Sequence, residues 1–176
     1  MKSNHIRNLV LAALCLALAI VLPFLTGQIP QIGSMLCPMH IPALLCGFIC
    51  GWPWGLAVGF IAPLLRSVMF GMPPMFPVAI CMAFELAAYG AVSGMMYRLL
   101  PKKPAFVYVS LIIAMVVGRL VWGSARLVCT IGGATQFGWA AFLSGALTTA
   151  IPGIILQIVL IPVIVLALQK AKVMKE

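Results

Sequence analysis

Polar side chains are so sparse along this chain that they mark its joints. Apolar runs near 20 residues extend from Arg7 to Leu25, from about Trp54 to Gly71, from about Pro77 to Leu100, from Pro104 to about Ile131 and from about Trp139 to Lys170. None shows the alternation of a barrel strand, and about 20 apolar residues is what a helix needs to cross about 30 Å of hydrocarbon. A shorter stretch, Ile41–Gly51, stands second in order and has Pro42 in its first turn, a favoured place for proline. Its 11 residues are marginal for a crossing, so either a short span or a partly re-entrant element is expected there. The pattern predicts an all-α integral membrane protein: a compact bundle of six transmembrane helices, forming a single domain over residues 1–176.

Charge orients the bundle. Lys2 and Arg7 precede the first run, Arg98, Lys102 and Lys103 flank the fourth-to-fifth turn, and Lys170, Lys172 and Lys175 follow the sixth. The alternate loops, "GQIPQIGSMLCPMH", "GMPPMFP" and "TIGGATQFG", carry no Lys, Arg, Asp or Glu. The positive-inside rule then puts both termini of this multi-pass protein in the cytoplasm. The basic N-terminus and first apolar run resemble a signal peptide, but no small-x-small cleavage site follows, so this segment is read as a retained helix. The outer loops, rich in Gly, Pro, Met and Gln, suit caps that fold over a cavity opening outward.

Composition agrees with the pattern. With 64% hydrophobic and 7% charged residues and a mean hydropathy of +1.20, the chain lacks the polar surface of a soluble domain. An ATPase or extracellular receptor domain, where one is needed, has to be on another chain. The net charge of +9 follows the topology rule and forms no stripe suited to nucleic acid. Six cysteines lie in apolar segments; Cys46 and Cys50 share a helical face, but no His or carboxylate stands beside them at ligand spacing, so neither a metal nor a cofactor is expected. Small residues recur at Gly47/Gly51, Gly55/Gly59 and Gly90/Gly94, as patches for close helix packing. Ala13/Ala17, extended by Cys15 and Ala19, is read as a patch facing either the bundle or a partner subunit.

Four ionisable side chains fall inside the spans: Arg66, Glu85, Arg119 and Arg126. Arg119, Trp122 and Arg126 are spaced to stack along one helical face, and Glu85 and Tyr89 do the same on the preceding helix. A guanidinium at a helix centre costs at least about 3 kcal/mol, so each needs a partner. One Glu neutralises one Arg, which leaves arginine for a ligand carboxylate or phosphate. The substrate-binding candidates are Arg119, Arg126, Trp122, Glu85, Arg66, His40, Tyr89, Gln31 and Gln136. Structural readings stand beside these: Arg66 and Arg126 snorkelling to headgroups, Arg119 and Glu85 as a purely structural pair, Trp122 and Trp139 as interfacial anchors, His40 as a polar cap. No nucleophile–base pair, second acid or P-loop is present, so an enzyme is not expected.

With these residues in view, the chain resembles the S components, the substrate-capturing membrane subunits of energy-coupling factor (ECF) vitamin transporters, over essentially its whole length. The resemblance rests on six spans in 176 residues with both ends inside, and on "NLVLAALCLALAIVL" with its Ala13-x-x-x-Ala17 pattern. It also rests on a long apolar first outer loop leading into "PMHIPALLCGFICGWPWGLAVGFIAPLL". It implies capture of a vitamin or precursor from outside, and toppling of the bundle on a transmembrane coupling protein driven by two cytoplasmic ATPases. Ala13 and Ala17 would be the docking surface. The site it implies lies between the outer loops and the last three helices, where Arg119, Trp122, Arg126 and Glu85 fall. Signatures of the biotin and thiamine branches are absent. A net positive cavity with Gln28, Gln31 and Gln136 in its loops favours a small anion: pantothenate first, with folate, nicotinate or a nucleobase-type precursor open. The competing reading is a self-contained facilitator or channel not coupled to ATPases, which needs a polar path through the inner half.

Overall fold

The computed structural model describes residues 2–26, 36–131, 144, 150–171 and 174. Six α-helices account for most of them: α1 (Lys2–Val21), α2 (His40–Cys50), α3 (Trp52–Phe70), α4 (Ile80–Leu99), α5 (Pro104–Ile131) and α6 (Ile151–Lys170). A 3-10 turn, Leu22–Thr26, prolongs α1, and a wide helical turn, Met75–Ala79, leads into α4. All but α2 are long and apolar enough to cross a membrane. The start of the sixth predicted span, from Trp139 to Thr149, lies outside the described residues apart from Ser144. The exposed faces of these helices are apolar, as in Leu14 and Val10 on α1 or Leu120 and Val128 on α5, which is the surface a lipid solvent selects.

The second predicted span is resolved by α2, which does not cross on its own. Its 11 residues extend about 16 Å, roughly half of the hydrocarbon thickness. Ten of the 11 are buried, because α1, α3, α4 and α6 surround it. A helix apolar on every side has to be central. Its Cys50 end faces the cytoplasmic side, where Asn8 of α1 donates to the Cys50 carbonyl at 3.4 Å, so His40 begins the helix deep inside the bundle. Gly51 (φ 92°) then reverses the chain into α3 within one residue, a conformation that a Cβ makes costly.

The glycine patches bind α2, α3 and α4 to one another. A Cβ on Gly47 would strike Ser93 Oγ and the Gly90 carbonyl, one on Gly90 would strike the Gly55 carbonyl, and one on Gly59 the Leu86 carbonyl. Gly94 approaches the backbone of Trp52 in the same way. Gly51, paired with Gly47 in the sequence pattern, forms the turn and also lies against Gly94, where an added Cβ would come within 2.8 Å of the Gly51 carbonyl carbon. The apolar core occupies the inner half, where Leu44, Phe48, Tyr97, Val107, Leu111, Ile161 and Val165 pack together. Gln169 Nε2 donates to Tyr97 Oη at 2.6 Å near its cytoplasmic end.

Candidate functional site

The polar centre stands directly outward of that core, and a glycine brings it together. Gly118 leaves α5 flat where the Tyr89 ring of α4 lies against it; a Cβ there would come within 2.8 Å of the ring. With α4 and α5 so close, Glu85, one turn outward of Tyr89, meets Arg119, the residue after Gly118. Arg119 Nη1 is 2.9 Å from Glu85 Oε1. The short α2 supplies the third group: His40 Nε2 lies 3.4 Å from the same carboxylate oxygen, and its ring packs edge-on to Tyr89 with centroids 5.2 Å apart. Arg119 Nη2 also reaches the Cys37 sulfur, 3.9 Å away, in the segment leading into α2.

This cluster is almost dry and is not saturated. His40, Glu85 and Tyr89 are 3%, 1% and 1% exposed. Glu85 Oε1 is held by its ion pair with Arg119, yet among the described residues both His40 ring nitrogens and Arg119 Nε are buried without a hydrogen-bond partner. A buried polar atom left in this state costs about 1–3 kcal/mol, more when it is charged. Gln157 of α6 is also buried, 2% exposed, with its amide oxygen unsatisfied among the described residues. The buried stripe of α6 runs Gly153, Gln157, Ile161, Val165, and Ile161 belongs to the same core cluster as Tyr89 and Ile41. Gln157 is therefore one helical turn outward of Ile161, on the buried face of α6. The sequence marked it only as the one amide in the middle of a helix of hydropathy 2.8.

The other predicted residues distribute differently. Arg126 and Trp122 remain together further out along α5, both half-buried, with the Arg126 guanidinium 5.8 Å from the Trp122 ring centroid. Arg66 goes elsewhere. It donates through Nη1 to the carbonyl of Ile20 at the outer end of α1, and its guanidinium lies over Phe24 (4.8 Å) and Phe70 (5.5 Å). Its charge is thus held by a helix end and two aromatic faces, which joins α1 to α3 and reaches neither Glu85 nor open headgroups. Gln28, Gln31, Gln136 and Trp139 lie outside the described residues.

On α1, Ala13 and Ala17 are exposed, whereas Cys15 and Ala19 are buried against α2 and α3. Two residues along a helix is a rotation of about 200°, so the extension of the alanine patch through Cys15 and Ala19 is corrected: they form the opposite face. Among the described residues no group of three His, Cys, Asp or Glu is placed to hold a metal ion.

The buried cluster carries donors on Arg119 and His40 and an acceptor on Glu85, and Gln157 adds a buried amide on α6. A sequence model of the family described as "ECF transporter, substrate-specific component" matches residues 7–165. No curated protein and no solved structure matches the chain.

Proposed function

The chain belongs to the substrate-specific components of ECF transporters, and from that premise we propose that the layer formed by His40, Glu85, Arg119 and Gln157 is where it holds its substrate. One observation carries the reading: these side chains are buried, and His40, Arg119 and Gln157 hold polar atoms there that no described residue satisfies. A ligand with matching donors and acceptors offsets that cost on binding, which gives affinity and selectivity against molecules lacking the groups. Tyr89 and His40 provide the aromatic wall.

The charge pattern refines the substrate. Glu85 already opposes Arg119, so the inner layer is close to neutral and suits hydroxyl, amide or ring N–H groups. An anionic end fits further out, towards Arg126 and Trp122 on the same face of α5. A small nutrient with a hydrogen-bonding body and one carboxylate, of the pantothenate type, meets both demands. Nicotinate, folate and nucleobase-type precursors are the alternatives to set beside it. The exposed Ala13–Ala17 stripe supports docking of α1 on the transmembrane coupling protein, which works with two ATPases.

The test is a thermal-shift screen of the purified protein against water-soluble vitamins and precursors, followed by calorimetry. A true ligand at a thousandfold excess over its dissociation constant stabilises the protein by about 4 kcal/mol. One strong shift, lost in Arg119→Ala, is the expected result. A ligand whose affinity is unchanged by Arg119→Ala would refute the assignment of the layer.

A further inference from the structure

All six cysteines of the chain are free thiols, and two of them meet at the outward end of the bundle. Cys81 is the second residue of α4 and Cys129 stands two residues before the end of α5. Their sulfurs are 3.8 Å apart. Both line an open groove of about 520 Å³ between the outer halves of these helices, walled by Phe84, Val121, Ser124 and Val128. We propose that Cys81 and Cys129 form a redox-active dithiol on the outward side of the membrane, whose oxidation to a disulfide ties α4 to α5 above the ligand layer.

Reach, place and access support this. A disulfide needs sulfurs about 2.05 Å apart, so the two must close by a little under 2 Å, a movement within a change of χ1 on each side. The groove leaves room on the Cys129 side, which is partly exposed and can swing towards the buried Cys81. Both lie towards the outer ends of their spans, Cys81 six residues in from Met75 and Cys129 two residues short of Ile131, on the side of the membrane where disulfides persist. The other close set, Cys15, Cys46 and Cys50, is buried in the packing of α1 against α2, where none of the three is exposed to a dissolved disulfide.

The two thiols differ in the way a stepwise exchange requires. Cys129 is partly exposed, and Cys81 is fully buried. The Cys129 thiol loses its proton to water, and its thiolate attacks a low-molecular-weight disulfide from outside. The disulfide's S–S bond breaks, a mixed disulfide forms, and one thiolate leaves and takes up a proton. Cys81 then gives up its proton and attacks the Cys129 sulfur, expelling the second thiolate. Two protein thiols are oxidised and one external disulfide is reduced to two thiols. The bond sits one turn outward of Glu85 on α4 and one turn outward of Arg126 on α5. It therefore fixes the spacing of the two helices that carry the layer and its mouth.

The full-length protein in lipid nanodiscs is treated with oxidised glutathione, denatured, alkylated with N-ethylmaleimide and mapped by mass spectrometry. The expected result is loss of two of the six alkylatable thiols, with a single linked peptide joining Cys81 to Cys129. In Cys81→Ser and in Cys129→Ser no intramolecular linkage forms. The thermal midpoint of the unsubstituted protein rises on oxidation and returns with dithiothreitol. Six alkylated thiols after oxidation, or a link between any other pair, overturns the proposal. None of these readings depends on which ligand the protein captures, so the result stands apart from the assignment of the ligand layer.

Discussion

Replacing Glu85 by Gln leaves the Arg119 guanidinium, whose side chain is 16% exposed, facing a neutral amide where a carboxylate stood 2.9 Å away. Removing one member of a buried pair strands the other charge and costs about 3–5 kcal/mol. For a chain of this length each kcal/mol moves the thermal midpoint by about 2–4 °C, so the ligand-free protein should melt roughly 6–20 °C lower. Arg119→Met strands the carboxylate and should fall in the same range. The double variant Glu85→Gln/Arg119→Met has no stranded charge. Replacement of both partners by neutral groups is often nearly neutral, so its midpoint should return to within about 1–2 kcal/mol of the parent. Binding behaves differently if the pair serves the ligand. The double variant folds but has lost a donor and an acceptor, and its affinity by calorimetry should remain at least about 100-fold down, or roughly 2.7 kcal/mol. A double variant as unstable as the singles would show that the charges are not coupled. A stable double variant that binds like the parent would make the pair a scaffold and refute its place in the site.

Further outcomes follow from the same geometry. Ala13→Leu with Ala17→Leu, on the exposed face of α1, should leave ligand affinity unchanged and abolish ATP-driven uptake in vesicles holding the coupling protein and ATPases; normal uptake would reject the docking face. Gly90→Ala drives a methyl into the Gly55 carbonyl, a backbone contact that cannot yield locally, so it should cost at least the roughly 1–3 kcal/mol typical of overpacking and lower the folded fraction on size exclusion. Gln157→Leu removes a buried amide oxygen that has no partner, so the ligand-free midpoint should rise while affinity drops about tenfold; unchanged affinity would mean the amide touches no ligand. Arg66→Ala frees the Ile20 carbonyl and both aromatic faces, lowering stability by about 2–3 kcal/mol with affinity held within twofold; a tenfold loss of affinity would return Arg66 to the site.

The long spans were legible because lipid imposes a length and an apolar composition on any crossing helix, and hydropathy reports both. The four-residue glycine spacing was legible as close packing for the same reason of local geometry. What it could not name was the neighbour: Gly90 lies between Gly47 and Gly55, which only the assembled α2, α3 and α4 define. The 11-residue length of α2 was visible, but not that burial on all sides places His40 at the depth of Glu85. Arg66 counted as a cavity charge because its partners, Ile20 and Phe24, are more than 40 positions away along the chain. Cys15 and Ala19 were misplaced although the helical angle alone assigns them to the face opposite Ala13. Gln157 was also within reach, since an uncharged amide in a helix of hydropathy 2.8 is as exceptional there as a charge.

The inner half of the bundle bears on how a captured molecule leaves. Inward of the Glu85–Arg119 pair, the core includes Leu44, Leu45, Phe48, Val107, Leu111, Ala114, Ile161 and Val165, with Tyr97, Ser93 and Ser110 buried there and each already hydrogen-bonded. A polar molecule moving through it would shed every hydrogen bond gained above and open a space that close-packed side chains fill, at several kcal/mol for each unsatisfied group. Among the described residues the few polar groups there, Ser93, Ser110 and Tyr97, form no continuous row across the inner half. A substrate-specific component of an ECF transporter works with a separate coupling protein and ATPases. On α1, Ala13 and Ala17 are exposed beside Leu14 and Leu18. Small side chains there let a partner helix approach closely in lipid, where van der Waals packing has to supply the attraction that water provides elsewhere.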